Sequence, residues 1–165
     1  LAATELAERY YEGSYAPLSL QEAVLLCKLM LHRSLRAGTP VIRIGLQPTE
    51  ELMARGTIVA GPFHPAFRQL VEGELCFDML ALLAGSLRSG AEVTIGCAPS
   101  RCSDVIGQRR TNIKRLQRLH DLHVRGVDAD AALSREDIEV WGDNFRKSGN
   151  IVRDLIYGPE ALGYV

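Results

Sequence analysis

Residues Val41-Ile42-Arg43-Ile44-Gly45-Leu46-Gln47 alternate between apolar and polar or small side chains, the pattern of a β-strand with two different faces. A helix signal precedes this stretch, and the turn Pro48-Thr49-Glu50-Glu51-Leu52 follows it. Because no strand signal comes earlier, a strand here would have bare edges and one uncovered face. We therefore expect it to be the closing strand of a larger barrel whose earlier βα units lie outside this sequence.

The alternation also predicts which side chains of this strand reach a cavity. If Ile42, Ile44 and Leu46 face the covering helices, Arg43 and Gln47 point into the barrel interior. The carboxyl end of such a strand lies near the usual active-site mouth, so Arg43 and Gln47 are candidates to line a substrate or cofactor cavity. The alternative is that Arg43 forms a structural ion pair and Gln47 caps a turn.

Composition indicates an ordinary globular protein. The chain has 165 residues, of which 47% are hydrophobic and 24% charged, with a formal net charge of -1. This balance argues against a generally basic nucleic-acid binder, although a local basic patch is compatible with it. No apolar run reaches membrane-spanning length, so we expect no membrane partner and a cytoplasmic protein. The first residue is Leu1 rather than methionine, which fits a piece of a longer protein.

The four cysteines occur singly in helix-like or strand-like surroundings and are predicted to be buried thiols: Cys27, Cys76, Cys97 and Cys102. Cys97 and Cys102 are close enough in sequence to suggest a metal pair, but no third or fourth ligand lies at a suitable spacing. We therefore predict no metal site.

Helix signals mark the first half of the chain. A short helix is predicted over 4–12, and the capping box of Ser19 and Glu22 starts a second helix that should reach about Ala37. After the loop 56–65, Pro65 opens a long helix with a core-facing stripe of apolar residues at Phe67, Leu70, Val71, Leu75, Met79, Leu82, Leu83 and Leu87. His64, just before this helix, is a cap or, alternatively, a cavity ligand or base.

The second half alternates strand and helix signals. Strands are predicted over 92–96, 121–125 and 137–141, with one helix from Ser103 or Asp104 to about Leu119. The predicted fold class is α/β to α+β, with a small α+β domain of a long helix followed by β-α-β-β. We predict a barrel remnant over 1–55, an α+β accessory domain over 60–142, and over 143–165 a tail that begins as a polar connector and packs on the body.

Two stretches resemble a known family. Residues Val41 to Leu52 and Ala60-Gly61-Pro62-Phe63-His64-Pro65-Ala66-Phe67-Arg68-Gln69-Leu70-Val71-Glu72 look like the C-terminal region of radical S-adenosylmethionine proteins. The branch that they resemble is related to the elongator catalytic subunit and is often labelled oxygen-independent coproporphyrinogen III oxidase-like. The similarity extends over most of the chain, including 107–116.

This resemblance implies an iron–sulfur oxidoreductase as the parent protein. Such families have a partial (βα) barrel, a 4Fe-4S cluster held by a CxxxCxxC loop, and S-adenosylmethionine as the source of a radical. The 165 residues contain no CxxxCxxC, so the resemblance implies that the upstream barrel of the same chain holds both cofactors and that this part holds none. Its role would be to shield or select the substrate, and activity on its own is not expected.

The stretch 105–116, followed by strand signals, is also similar to KH domains, which clamp a nucleic-acid backbone with a GXXG loop. Here Gly107 is followed by Gln108-Arg109-Arg110, so the second glycine is absent. Positive charge is nevertheless concentrated at Arg109, Arg110, Lys114 and Arg118, and these are the nucleic-acid candidates, with tRNA as the partner.

The alternative is a solvated helix exterior whose basic residues pair with Asp and Glu elsewhere. Another reading is a structural or oligomerising part, since a barrel remnant alone would expose apolar surface and form homo-oligomers.

Overall fold

Helices occupy the first half of the chain and a four-stranded sheet follows, in a computed structural model that describes residues 1–158. In chain order the elements are α1 (Glu5–Tyr11), α2 (Leu20–Arg36), α3 (Glu50–Met53), α4 (Phe67–Ala84), β1 (Glu92–Cys97), α5 (Cys102–Ile106), α6 (Thr111–His120), β2 (His123–Ala129), β3 (Asp137–Gly142), β4 (Phe145–Asn150) and α7 (Ile151–Asp154). Short 3-10 turns at Pro99–Arg101 and Gln108–Arg110 flank α5.

The sheet has the strand order β2-β1-β3-β4. β1 is parallel to β2, whereas β1 with β3 and β3 with β4 are antiparallel. Helices followed by one mixed sheet confirm the predicted α+β class. β4 lies in the segment that was predicted to be a polar connector, and this part of the prediction was wrong. The likeness to a KH domain stays a prediction.

The core surrounds α4, which lies between the sheet and α2. Contacts from α4 reach β3 and β4 on one side and α2 on the other. Because α4 is covered from both sides, its buried residues lie all round the helix, including Val71, Leu75, Cys76, Met79 and Leu80. The division of the chain near residue 60 stays a prediction, and the buried cluster extends across it from α2 to β3.

Most of the predicted apolar stripe of α4 faces this core. Leu82, however, is 53% exposed, so its predicted place in the stripe was wrong. It lies in the last turn of α4, two residues before Ala84, on the side that points away from the core residue Leu83.

The start of α2 has the predicted capping box. The hydroxyl of Ser19 accepts a hydrogen bond from the Glu22 amide at 3.2 Å, and the Glu22 carboxylate accepts one from the Ser19 amide at 2.8 Å. Two of the amides that lack a partner inside the helix are satisfied in this way. At the other end Gly38 adopts a φ of 66°, which allows the chain to leave the helix.

Residues 41–47 form no strand within the described chain, and this prediction was wrong. Val41 and Ile44 pack against the core, while Ile42 is 93% and Leu46 58% exposed, so the expected two-residue alternation is absent as well. A strand needs a neighbouring strand for its backbone groups, and none lies beside this segment. In addition, Gly45 has a φ of 78°, which interrupts the extended backbone.

The single helix predicted from 103 or 104 to 119 is broken in the middle, between α5 and α6. Gly107, Arg109 and Arg110 have φ values of 71°, 51° and 61°. The side chain of Asn112 stabilises the break, since its Nδ2 donates to the carbonyl oxygen of Gly73 at 2.8 Å and to that of Asp104 at 3.0 Å.

The chain after β4 returns to the body at Ile151 and Leu155, which are both buried. The Asn150 side chain caps α7 by accepting from the amides of Val152 and Arg153, each at 3.1 Å. Residues 159–165 of the predicted tail lie outside the described residues.

Candidate functional site

The segment 41–47 separates two clefts. The first has a volume of about 210 Å³ and is lined by Arg43, Gln47 and Pro65 among others. The second, about 310 Å³, contains His64 and Cys27. Both clefts share a wall formed by Gly45, Leu46 and Phe67. Arg43 and Gln47 therefore line one cleft, whereas His64 lines the other.

Arg43 and Gln47 are both exposed at the surface of the described chain. Arg43 forms no ion pair within residues 1–158, so the alternative of a structural ion pair has no support there. The inward direction predicted for these two side chains depends on a barrel interior that this chain alone does not form.

His64 has the role of a cap. Its Nδ1 accepts a hydrogen bond from the amide of Ala66 at 3.1 Å, immediately before α4 begins. This bond requires the neutral ring with its proton on Nε2. His64 also lines the 310 Å³ cleft, so this hydrogen bond and a role in the cleft are compatible.

Gly45 fixes how the segment lies against α4. A Cβ atom at this position would lie 2.8 Å from Cδ1 of Phe67, closer than side chains approach in proteins. Both the positive φ and this close packing require glycine.

Arg68 holds the beginning of the segment, a contact that was not predicted from the sequence. Its Nη1 donates to the carbonyl oxygen of Val41 at 3.3 Å and to that of Ile42 at 3.2 Å. Its Nε donates to Oε1 of Glu72 at 2.7 Å, one helical turn further along α4. The four-residue spacing of Arg68 and Glu72 was visible in the sequence, whereas the contact with residues 41 and 42 depends on the tertiary fold.

Glu72 is the centre of a buried ionic cluster. Its other oxygen, Oε2, accepts from Nη1 of Arg101 at 2.5 Å and also from Nη2 of Arg135. Burial would raise the pKa of Glu72, but the hydrogen bond from Arg68 and the charges of Arg101 and Arg135 outweigh it and lower the pKa. Glu72 is therefore ionised at neutral pH.

Arg101 completes the cluster from the turn after β1. It is 2% exposed, and its guanidinium also contacts Oδ2 of Asp104 at 3.2 Å and the carbonyl oxygen of Arg135 at 2.9 Å. Burial raises the pKa of Asp104 above its ordinary value, although the charge of Arg101 opposes this shift. The cluster connects α4, the start of α5 and the loop before β3.

The basic residues predicted for nucleic-acid binding lie around the α5–α6 break and along α6. Arg109, Arg110, Lys114 and Arg118 are exposed, and none of them forms an ion pair within residues 1–158. Arg115 differs, because it pairs with Glu74 at 2.5 Å. The expected pairing of these four residues with carboxylates is therefore absent from the described chain.

The backbone at this break is unusual. Arg109 and Arg110 are consecutive non-glycine residues with positive φ, a conformation that is rare outside glycine. Arg110 occupies the position where a GXXG loop has its second glycine. No side-chain hydrogen bond caps the first amides of α6. The amide of Thr111 donates to the carbonyl oxygen of Gln108, and the positive end of the helix dipole at this start favours anions.

Two apolar residues of α6, Ile113 and Leu116, are buried against the core. Leu119, in contrast, is 59% exposed.

The cysteines do not provide an iron–sulfur site. Cys97 Sγ lies 3.6 Å from Cys102 Sγ, but no group of three or more His, Cys, Asp or Glu side chains suited to a metal occurs among residues 1–158. Burial raises the pKa values of Cys76 and Cys97 to about 12, which disfavours the thiolate that ligates metals. The side chains present do not fit a cluster.

Comparison with known proteins identifies the first part of the chain. Residues 1–76 match the Radical_SAM C-terminal domain, a match that includes α1, α2, the segment 41–47 and the first half of α4. No curated protein and no solved structure matches the chain. Within residues 1–158, no helix is long and apolar enough to cross a membrane.

Proposed function

We propose that this chain completes the edge of a radical SAM barrel and shields the substrate. The reason is that it carries the C-terminal region of a radical SAM protein. The family implies a 4Fe-4S cluster and S-adenosylmethionine in the parent protein, and when bound these cofactors supply the radical chemistry. The side chains among residues 1–158 do not fit the cluster. The contribution of this chain is therefore structural support and substrate shielding, and it is not active alone.

One observation carries this proposal: the backbone of the segment 41–47 has no backbone partner. None of its backbone groups forms a hydrogen bond with another backbone group in residues 1–158. Ile42 is 93% exposed. Backbone groups without a backbone partner are a template for strand addition, and a neighbouring barrel strand would satisfy them once Arg68 releases the carbonyls of Val41 and Ile42. Strand addition would also require Gly45 to change its φ, which glycine can do at low cost.

Strand addition would place Arg43 and Gln47 at the rim of the completed cavity, with His64 behind them. There they would contact or orient the substrate. On the resemblance of 41–52 and 60–72, we assign the parent to the oxygen-independent coproporphyrinogen III oxidase-like oxidoreductases related to the elongator catalytic subunit, acting in the cytoplasm.

The proposal is tested by measuring association of this chain with a separately produced radical SAM barrel from the same parent. Ile42→Asp places a charge on the exposed apolar face and should abolish association. Ile156→Asp is the matched control, since Ile156 is 81% exposed and lies in the C-terminal segment. Association that survives Ile42→Asp, or that both variants reduce equally, would contradict the proposal.

A second function is favoured by the unpaired basic surface of Arg109, Arg110, Lys114 and Arg118. Exposed basic side chains next to a helix start suit phosphate groups, and an RNA substrate such as tRNA provides them in series. The α+β unit would then present RNA to the barrel.

RNA binding is tested with labelled tRNA at low and moderate salt. Replacing Arg109, Arg110 and Lys114 by Ala should weaken binding and lower the salt dependence by about two units of slope, since roughly 0.7 to 0.9 counterions are released per phosphate contact. The charge-matched control replaces Arg125, Arg146 and Lys147 on the sheet side by Ala. Equal loss in both triple variants would indicate a nonspecific charge effect and would exclude this surface as the binding site.

Self-association is the third function that remains to be tested. If the exposed segment 41–47 pairs with a second copy of the chain in place of the barrel, sedimentation should show dimers that Ile42→Asp converts to monomers. Monomers at every concentration would exclude an oligomerising role.

A further inference from the structure

The start of the segment 41–47 is held by one side chain from the neighbouring helix. Arg68 donates from Nη1 to the carbonyl oxygens of Val41 and Ile42, at 3.3 and 3.2 Å. These are the only hydrogen bonds that anchor the carbonyls of this segment within residues 1–158. Bonds from a charged donor are stronger than those between neutral groups. The position of the segment therefore depends on where the Arg68 guanidinium lies.

The position of Arg68 depends in turn on Glu72. The Arg68 side chain is 45% exposed and would be mobile alone, whereas the Glu72 side chain is 6% exposed. Glu72 is held on its other oxygen by Arg101 and Arg135, which belong to the turn after β1 and the loop before β3. A continuous chain of contacts thus runs from the turn after β1 and the loop before β3 through Glu72 and Arg68 to residues 41 and 42.

We infer that Arg68 is a positioning residue that sets the segment 41–47, and that Arg101 and Arg135, in the turn after β1 and the loop before β3, control Arg68 through Glu72. The inference deepens the proposed function, because this segment is the one that would join the barrel. It gives the loop before β3 a physical means of acting on the barrel edge. A partner that displaces Arg135 would loosen Glu72, and this would loosen Arg68 and then the segment 41–47. The coupling uses discrete ion pairs and carbonyl contacts and needs no change of fold.

Trypsin provides the test, because Arg43 lies inside the segment and is exposed. The measured quantity is the initial rate of cleavage at the Arg43–Ile44 bond in the full chain, followed by mass spectrometry at early times. The rate of such cleavage depends on how often the segment 41–47 detaches locally from the rest of the chain. Arg68→Met should raise this rate by about fivefold or more. Arg9→Met is the matched control, since Arg9 forms an i,i+4 pair with Glu5 at 2.6 Å far from the segment. An unchanged rate in Arg68→Met would overturn the inference.

A second experiment tests the coupling between Arg68 and the loop before β3. Arg135→Ala should raise the cleavage rate by about twofold, because Glu72 keeps Arg101 as a partner. The double variant Arg68→Met with Arg135→Ala should be cleaved at the same rate as Arg68→Met alone, because Arg135 acts on the segment through Arg68. Multiplicative effects of the two substitutions would overturn the coupling.

Circular dichroism identifies a variant that fails to fold. If Arg68→Met does not fold, Arg68→Lys replaces it, because lysine keeps the charge but cannot reach Glu72 and both carbonyls at once. Arg68→Lys should give an intermediate cleavage rate, and a wild-type rate would contradict the inference. The assay uses this chain without the barrel, so its outcome is independent of the barrel-association experiment.

Discussion

Replacing Arg101 by Met removes the most deeply buried charge of the ionic cluster while keeping a side chain of similar length. Arg101 is 2% exposed, so its contacts with Glu72 and Asp104 are shielded from water. Removing one partner of a buried ion pair costs about 3–5 kcal/mol, because a charge is left uncompensated. Here the lower end applies, since Glu72 keeps Arg68 and Arg135 and Asp104 can take up a proton. We expect a loss of about 3 kcal/mol at pH 7.

Urea unfolding followed by the fluorescence of Trp141 measures this loss, since Trp141 is the only tryptophan of the chain. With a slope of about 2 kcal/mol per molar urea, the midpoint should fall by about 1.5 M. Arg125→Met is the control. The Arg125 side chain is 51% exposed, so its pairs with Glu92 and Asp143 should leave the midpoint unchanged.

The pH dependence provides a second check on the same variant. Without Arg101, Asp104 has lost the charge that opposes burial, so its pKa in the folded state rises further. A carboxyl group whose folded pKa lies above its unfolded pKa binds the proton more tightly when folded, and stability is gained as the pH falls. The deficit of Arg101→Met should therefore be smaller at pH 5 than at pH 7. The reasoning would be refuted if Arg101→Met lost no more stability than Arg125→Met, or if its loss of stability were larger at pH 5 than at pH 7.

Three further predictions concern single positions. Burial lowers the pKa of His32 below 6.5, so the unfolded chain binds the proton more tightly than the folded chain. The free energy of unfolding should therefore fall as the pH drops below 6.5. In urea titrations, His32→Gln should reduce this pH dependence. Gly96→Ala would place a Cβ 2.6 Å from Cζ3 of Trp141. This overpacking should cost about 1–3 kcal/mol of stability and shift the fluorescence emission of Trp141. Gly126→Ala is the control, because its Cβ would meet nothing closer than 3.9 Å, and it should leave stability and emission unchanged. Ser19→Ala removes the capping box of α2 and should cost about 1 kcal/mol in thermal or urea unfolding.

Local signals in the sequence were sufficient for the helices of the first half. The capping box at Ser19 and the glycine at 38 define α2 within the chain itself, because the groups that start and end the helix are close in sequence. The long stripe beginning at Phe67 predicted α4 for the same reason. The sequence did not reveal that α4 lies between two layers, which is why burial all round the helix was not predicted.

Features that depend on distant partners were not predictable. The segment 41–47 has a strand pattern, but a strand forms only when a neighbour supplies hydrogen bonds. β4 was missed because Phe145-Arg146-Lys147-Ser148-Gly149-Asn150 is an edge strand with few apolar residues, and its pairing with β3 decides its structure. The break at Arg109 and Arg110 was missed because arginine seldom adopts positive φ.

The site residues stay predictions. Arg43 and Gln47 were proposed from the strand pattern, and His64 from its position just before α4. Arg68, which joins these parts, acts through backbone carbonyls more than twenty residues away, and sequence spacing gives no signal for such a contact. The unpaired state of the four basic residues likewise depends on where the carboxylates lie in the fold.

Hydrogen exchange of the backbone amides at residues 41–47 tests the central claim most directly. The measurement compares this chain alone with the polypeptide that joins it to its radical SAM barrel. We predict rapid exchange in the isolated chain and protection of alternate amides, by about a hundredfold or more, when the barrel is present, since a strand paired on one side donates every second amide. Equally rapid exchange in both would contradict the claim that this segment completes the barrel edge.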